Sequence, residues 1–303
     1  MTDAAFVKSI DFFPFNIPSG PEFLGVYTLI VALSLLLAKV VQRGVIGAMD
    51  GSEAPVPRDR GHLGGFRRPA QAGPRLLIGE LPSPDDVHYV AFLRGGEGAV
   101  GDTIATLALG EGWLAPVPES EFIDVLPLPP EPCASSRKLF ALLRGARTTR
   151  TALRAAIEEV AREEARRAEA ALREGGFLVT GGAMAAGNAA FATVAAVPLV
   201  IAAHRLLRGV ALGAPIGLLA VMMVATAIIA LIAGMTSRVS LRGREYLAWL
   251  AGSTTALRED VRAGRSASPA DASLAAALDG AEGIPALDRV WPAVARTDPG
   301  HSG

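Results

Sequence analysis

Three runs of residues along this chain are apolar for long enough to cross a bilayer, which takes about 20 residues in a helix. They cover residues 23–41, 183–203 and 215–235. The first carries no charge before Lys39, whose aliphatic stem lets the ammonium reach water from a helix end. The second includes Asn188, Thr193 and Pro198, all uncharged, and a proline is tolerated inside a span. The third has no charge at all. The pattern predicts a mainly α membrane protein with spans at 23–42, 181–206 and 215–236.

Between the first two spans the pattern changes twice. Residues 43–75 hold Gly, Pro and Arg without apolar periodicity and read as a flexible basic linker whose arginines meet anionic headgroups. Residues 76–180 read as a helical domain. There Ser83, Pro84, Asp85 and Asp86 signal a helix start, with Ser83 as cap, and Gly95-Gly96 signals a stop. A second helix follows, with Val100, Ile104, Leu107 and Ala108 on one face, and then a strand near Trp113–Val117. Helix, helix, strand suggests a winged-helix-like unit. A third helix spans 134–143, and a long one spans 149–174. In the long helix Leu153, Ile157, Val160, Ala161, Ala168 and Leu172 recur at three and four residues, which makes one core face. The tail, 237–303, reads as a frayed helix or two and a disordered end.

Charge sets the orientation. The segment before the first span, 1–22, has one lysine against Asp3, Asp11 and Glu22, unlike the basic start of a secretory signal, so a retained anchor is expected. Lys39, Arg43, Arg58 and Arg60 follow the span, which places residues 1–22 outside and the 76–180 domain in the cytosol. Residues 207–214 then form a short external turn and the tail returns to the cytosol, backed by Arg238, Arg242 and Arg244. Arg205 and Arg208 beside the turn run against that charge rule. The "PSGPEFLGVY" stretch is thereby a helix start at a water boundary, with Pro21 and Glu22 in the first turn and Tyr27 as an interface anchor.

Composition narrows the chemistry. The net charge is −1, and residues 76–175 carry sixteen acids against eleven Lys and Arg, so no nucleic-acid partner is expected. The lone Cys133 and four scattered histidines have no zinc-like spacing, and neither a metal nor a cofactor is expected. Walker, Rossmann, nucleophile-elbow and helical zinc motifs are all missing from the sequence. Glu158-Glu159 and Glu163-Glu164 lie three or four residues from arginines and read as a salt-bridged, solvated face. Small residues four apart, such as Ala183 with Gly187 and Gly213 with Gly217, let helices approach closely within a hairpin or across a homo-oligomer. No residue is assigned a catalytic role. The candidate functional residues are Asn188, His204 and Arg205, placed at the external end of the hairpin as the site of a membrane-embedded enzyme or transport component.

Three short motifs occur in order: "GPEFLGVY" with Gly20, Pro21, Glu22, Phe23, Leu24 and Tyr27; "AFLRGG" with Ala91, Phe92, Leu93, Gly95 and Gly96; and "GAPIG" with Gly213, Pro215 and Gly217. In them the chain resembles an uncharacterised family of bacterial three-span membrane proteins, whose members show GPEFLxxY, AYLxGG and GxPVG at these places. The resemblance covers about the first 250 residues. Many members end in a Gly- and Cys-rich tail, and some occur beside enzymes that modify peptide cysteines; this tail has no cysteine. The resemblance implies architecture and bacterial inner-membrane placement. The expectation is a non-enzymatic accessory or scaffold protein whose cytosolic domain binds a protein or peptide, with a membrane-tethered regulator as a further alternative.

Overall fold

The computed structural model describes residues 21–50, 76–117, 120–143, 145–211, 217–266, 268–282 and 284. In chain order these form α1 (Pro21–Asp50), α2 (Val87–Gly110), β1 (Leu114–Pro116), β2 (Phe122–Val125), α3 (Ala134–Leu142), β3 (Arg147–Thr149), α4 (Arg150–Glu174), α5 (Gly181–Ala211), α6 (Gly217–Gly234), α7 (Leu241–Ser253), α8 (Thr255–Arg262) and α9 (Pro269–Asp279). The chain is mainly helical, and three of its helices are long and apolar enough to cross a membrane: α1, α5 and α6. The described residues fall into two compact units, a bundle of α1, α5 and α6 and a mixed unit of α2–α4, β1–β3 and α7–α9.

In the bundle, small residues sit at many of the helix contacts, with Phe23, Tyr27 and Phe191 buried among them, and many of the large aliphatic residues face outward. Ala38, Gly187, Ala195 and Ala202 are buried at the helix contacts, whereas Leu33, Leu36, Val200, Leu231 and Ile232 stand exposed. That distribution suits a solvent as apolar as the side chains themselves. Gly187 is required: a Cβ there would lie 2.5 Å from Ile46 Cγ1 and 3.3 Å from the Gln42 carbonyl. The small-residue pair Ala183 and Gly187 is thus spent within the bundle. Helix α5 runs unbroken through Pro198. Helix α1 continues to Asp50, so residues 43–50, expected in the linker, are its last turns; no proline occurs between Pro21 and Pro55. The rest of that linker, 51–75, lies outside the described residues, as do 1–20 and 285–303.

Tyr27 departs from the anchor role. It is fully buried, stacks on Phe23 with centroids 6.0 Å apart, and its hydroxyl donates to Thr226 Oγ1 at 3.4 Å. A phenol with an internal acceptor gains apolar burial without stranding its polar tip.

In the mixed unit the expected stop at Gly95-Gly96 is a break inside α2. Gly95 leaves helical geometry and Gly96 adopts φ +68°, a region that favours glycine. Ser83 is no helix cap: Asp86 holds that position, and Ser83 Oγ donates to Asp86 Oδ2 at 2.7 Å, building the turn before it. The strand expected near Trp113 is β1, and it pairs antiparallel with β2, which in turn pairs with β3. Ile123 and Val125 of β2 face the core while Phe122 is exposed. Helix α4 begins at a Thr149 cap, whose Oγ1 accepts from the Ala152 amide at 3.2 Å. All six of its predicted core residues are buried.

The tail behaves differently from expectation. It forms α7, α8 and α9, and Tyr246, Leu250, Leu274 and Ala277 join one core with Ile104, Trp113, Leu153 and Leu172. Alanine-rich α9 lies close against α2; a Cβ on Gly110 would sit 3.3 Å from Pro269 Cα. Small side chains bury little area each, so their weak hydropathy signal disguised a core helix as a frayed one.

Candidate functional site

Three polar constellations stand out, one at each end of the bundle and one in the mixed unit. At one end of the bundle, Gln42 is fully buried, and its amide donates to Asn188 Oδ1 at 2.9 Å and to the Gly234 carbonyl at 3.2 Å. Lys39 donates to Gln42 Oε1 at 3.1 Å and to the Met235 carbonyl at 3.3 Å, and Thr236 donates to Asn188 Oδ1 at 3.4 Å. The last carbonyls of α6 lack intrahelical partners, and side chains of α1 supply them. All three helices are therefore tied together where α6 ends.

At the other end, the Arg205 guanidinium lies over the Phe23 ring at 4.4 Å, a contact that shields the charge beside the apolar core. His204 is half-buried beside it. Asn188 is not there: sixteen residues separate it from His204 on one helix, about 24 Å at 1.5 Å per residue. The three candidates thus form two separate places, one at each end of α5. The reason is helical rise, which the sequence states as soon as α5 is continuous.

In the mixed unit, His88 of α2, Lys138 of α3 and Glu164 of α4 converge. Lys138 pairs with Glu164 and, at 3.3 Å, with Glu163, while His88 Nε2 lies 4.0 Å from Glu164 Oε2. Arg167 adds ion pairs to both glutamates. Glu163 behaves as expected of a solvated face, and its hydrogen bond and charge contact with Lys138 hold its carboxyl below the usual range. Glu164 does not, being buried. The signal was present: position 164 continues the series 153, 157, 160, 161, 168, 172. Burial pushes the His88 imidazole below its ordinary value, against the opposing pull of Glu164, Asp86 and Asp85. Burial raises the Tyr89 and Tyr246 phenols, with Asp86 adding to both. His88 and the partly buried Lys138–Glu164 pair together tie three helices.

An open groove of about 510 Å³ lies elsewhere on the same unit, with Asp85, Glu111, Glu131 and Cys133 in its lining. Glu111 is held in place, its Oε2 accepting from Trp113 Nε1 at 3.0 Å and from Ser136 Oγ at 2.6 Å. Cys133 caps α3, its Sγ accepting from the Ser136 amide at 3.3 Å. Sequence reasoning missed this groove, because its lining is drawn from four separate stretches of chain.

The motif residues serve packing where they are described. Phe23, Tyr27, Ala91 and Leu93 are buried, Leu24 and Phe92 half-buried, Gly95 and Gly96 form the break in α2, and Gly217 opens α6. Pro21 and Glu22 lie in the first turn of α1, and Gly20, Gly213 and Pro215 lie outside the described residues. Among the described residues no group of three or more His, Cys, Asp or Glu side chains is arranged to hold a metal ion. No family model, curated protein or solved structure matches the chain.

Proposed function

We propose that this chain is a membrane-anchored, non-enzymatic accessory or scaffold protein of the bacterial inner membrane whose mixed unit binds a protein or peptide in the cytosol. The observation that carries this reading is the pairing, in one chain, of a bundle with many large aliphatic side chains outside and a packed acidic unit with an open groove. Three crossings put the two ends of the chain on opposite faces. Arg43, Arg58 and Arg60 after the first span, with Arg238, Arg242 and Arg244 after the third, favour the cytosolic face for the mixed unit. The likeness of the three motifs to the bacterial three-span family belongs to the same proposal.

Two experiments test it. A membrane-impermeant maleimide reagent is expected to label Cys133 in inverted vesicles and to spare it in intact cells; the opposite result reverses the topology. A photo-crosslinking amino acid at Glu131 is expected to give one discrete adduct in vivo, and an absence of adducts at the groove rim counts against peptide or protein recognition.

The alternative of a membrane-embedded enzyme or transport component would draw on two separate places, since Asn188 lies sixteen residues along α5 from His204. The regulator alternative rests on a winged-helix-like reading of 76–180. A small antiparallel sheet among helices supports that reading, whereas five net negative charges over residues 76–175 oppose phosphate contacts. A DNA mobility shift by the full protein in detergent would restore it.

A further inference from the structure

We propose that the groove of the mixed unit docks an extended peptide segment bearing arginine or lysine. The inference rests on the peptide-recognition reading above and names the chemistry of the partner. Charge complementarity is the first argument. Asp85, Glu111 and Glu131 line the groove, and no Lys or Arg among the described residues does. Glu111 follows the last turn of α2, where the helix dipole presents its negative end. Its carboxylate is oriented by bonds that fall on Oε2, from the buried Trp113 and the buried Ser136, so Oε1 receives neither of them.

Hydrogen-bond inventory is the second argument. Four prolines, Pro84, Pro129, Pro132 and Pro269, contribute to the walls. Each contributes an apolar ring and has no amide donor. At the helix N-termini that open on the groove, several amides are already engaged. Cys133 Sγ and Asp85 Oδ1 accept from the amides of Ser136 and Ala134 on α3, and Ser268 Oγ accepts from the Asp271 amide on α9. Three carboxylates and four prolines without amide donors thus make the lining acidic and apolar. A guanidinium, with five N–H donors, a planar face and an apolar stem, matches such walls better than an acidic or neutral side chain.

The test uses the full-length protein in nanodiscs and short labelled peptides that carry arginine, glutamine or glutamate at the same positions, read by fluorescence anisotropy. The arginine peptide is expected to bind at least about tenfold tighter than the glutamine peptide, and the glutamate peptide not at all. Affinity is expected to fall with added salt. Glu111→Gln is expected to weaken binding, with its fold checked by the thermal transition. Glu131→Arg alters an exposed side chain, leaves the fold unchanged, and is expected to weaken binding by about tenfold or more. Equal binding of all three peptides, or an unchanged affinity in Glu131→Arg, overturns the groove proposal and leaves peptide recognition standing. No binding of any peptide overturns both. Higher affinity on replacing Arg67 and Arg68 with Gln assigns the groove to the chain's own basic segment and overturns a separate partner.

Discussion

The bundle and the mixed unit both bury alanines and aromatic rings, but they send their large aliphatic residues in opposite directions. In the mixed unit Trp113, Leu153 and Leu172 are inside, and among the described residues Glu164 is the one buried charged side chain. In the bundle Ala38, Ala195 and Ala202 are inside, and Leu231 is 75% exposed. One chain thus carries two solutions to the same packing problem, one built for water and one for hydrocarbon. In water, burying a large apolar side chain is worth about 1.5–3 kcal/mol, so large residues belong inside. In lipid that gain vanishes, and close backbone approach with satisfied polar groups takes its place.

The difference predicts how substitutions sort. The largest effect is expected from Trp113→Ala, about 3–5 kcal/mol lost from the mixed unit in urea unfolding. Leu172→Ala follows at about 2–5 kcal/mol. In the bundle the costly direction is the reverse, small to large. Gly187→Ala is expected to lower bundle stability in detergent by about 1–3 kcal/mol, through the clash with Ile46. A neutral result there would show that α1 and α5 yield more than the contacts imply.

Gln42→Leu removes the donor to Asn188 and the Gly234 carbonyl and is expected to cost about 1 kcal/mol, because polar bonds between membrane helices are modest in net worth. Smaller again is the pH response of the mixed unit. The folded His88 pKa lies below its ordinary 6.5 because burial disfavours the charged ring. The unfolded chain then takes up the proton first. The stability His88 contributes is complete above 6.5 and is lost as pH falls through the lowered value. A urea midpoint that falls on acidification, with a shallower fall in His88→Gln, is the expected outcome; identical profiles would remove His88 from the account. The smallest effect is expected from Leu231→Ala, within about 0.5 kcal/mol, since its side chain gives up only contact with lipid.

Periodicity made the three long apolar helices and α4 legible, down to each core position named in advance. It failed where residues were small or where function lies in assembly. Alanine-rich α9 looked like a frayed end because alanine carries little hydropathy, although Ala276 and Ala277 are fully buried. Glu164 looked solvated because its neighbours are arginines, yet its place in the register was that of a core residue. Asn188, His204 and Arg205 looked like one site because they share a helix, and the rise of that helix separates them. The groove around Glu111 was invisible for a simpler reason: Asp85, Glu131 and Pro269 come together only in the folded chain.

The central claim is that the inverted burial of the bundle marks a lipid environment. Nitroxide labels at Leu33, Val200 and Leu231, in a Cys133→Ser background reconstituted into liposomes, test it by collision with oxygen and with a water-soluble nickel chelate. The account predicts high oxygen and negligible nickel accessibility at all three positions, and strong nickel accessibility at all three would contradict it.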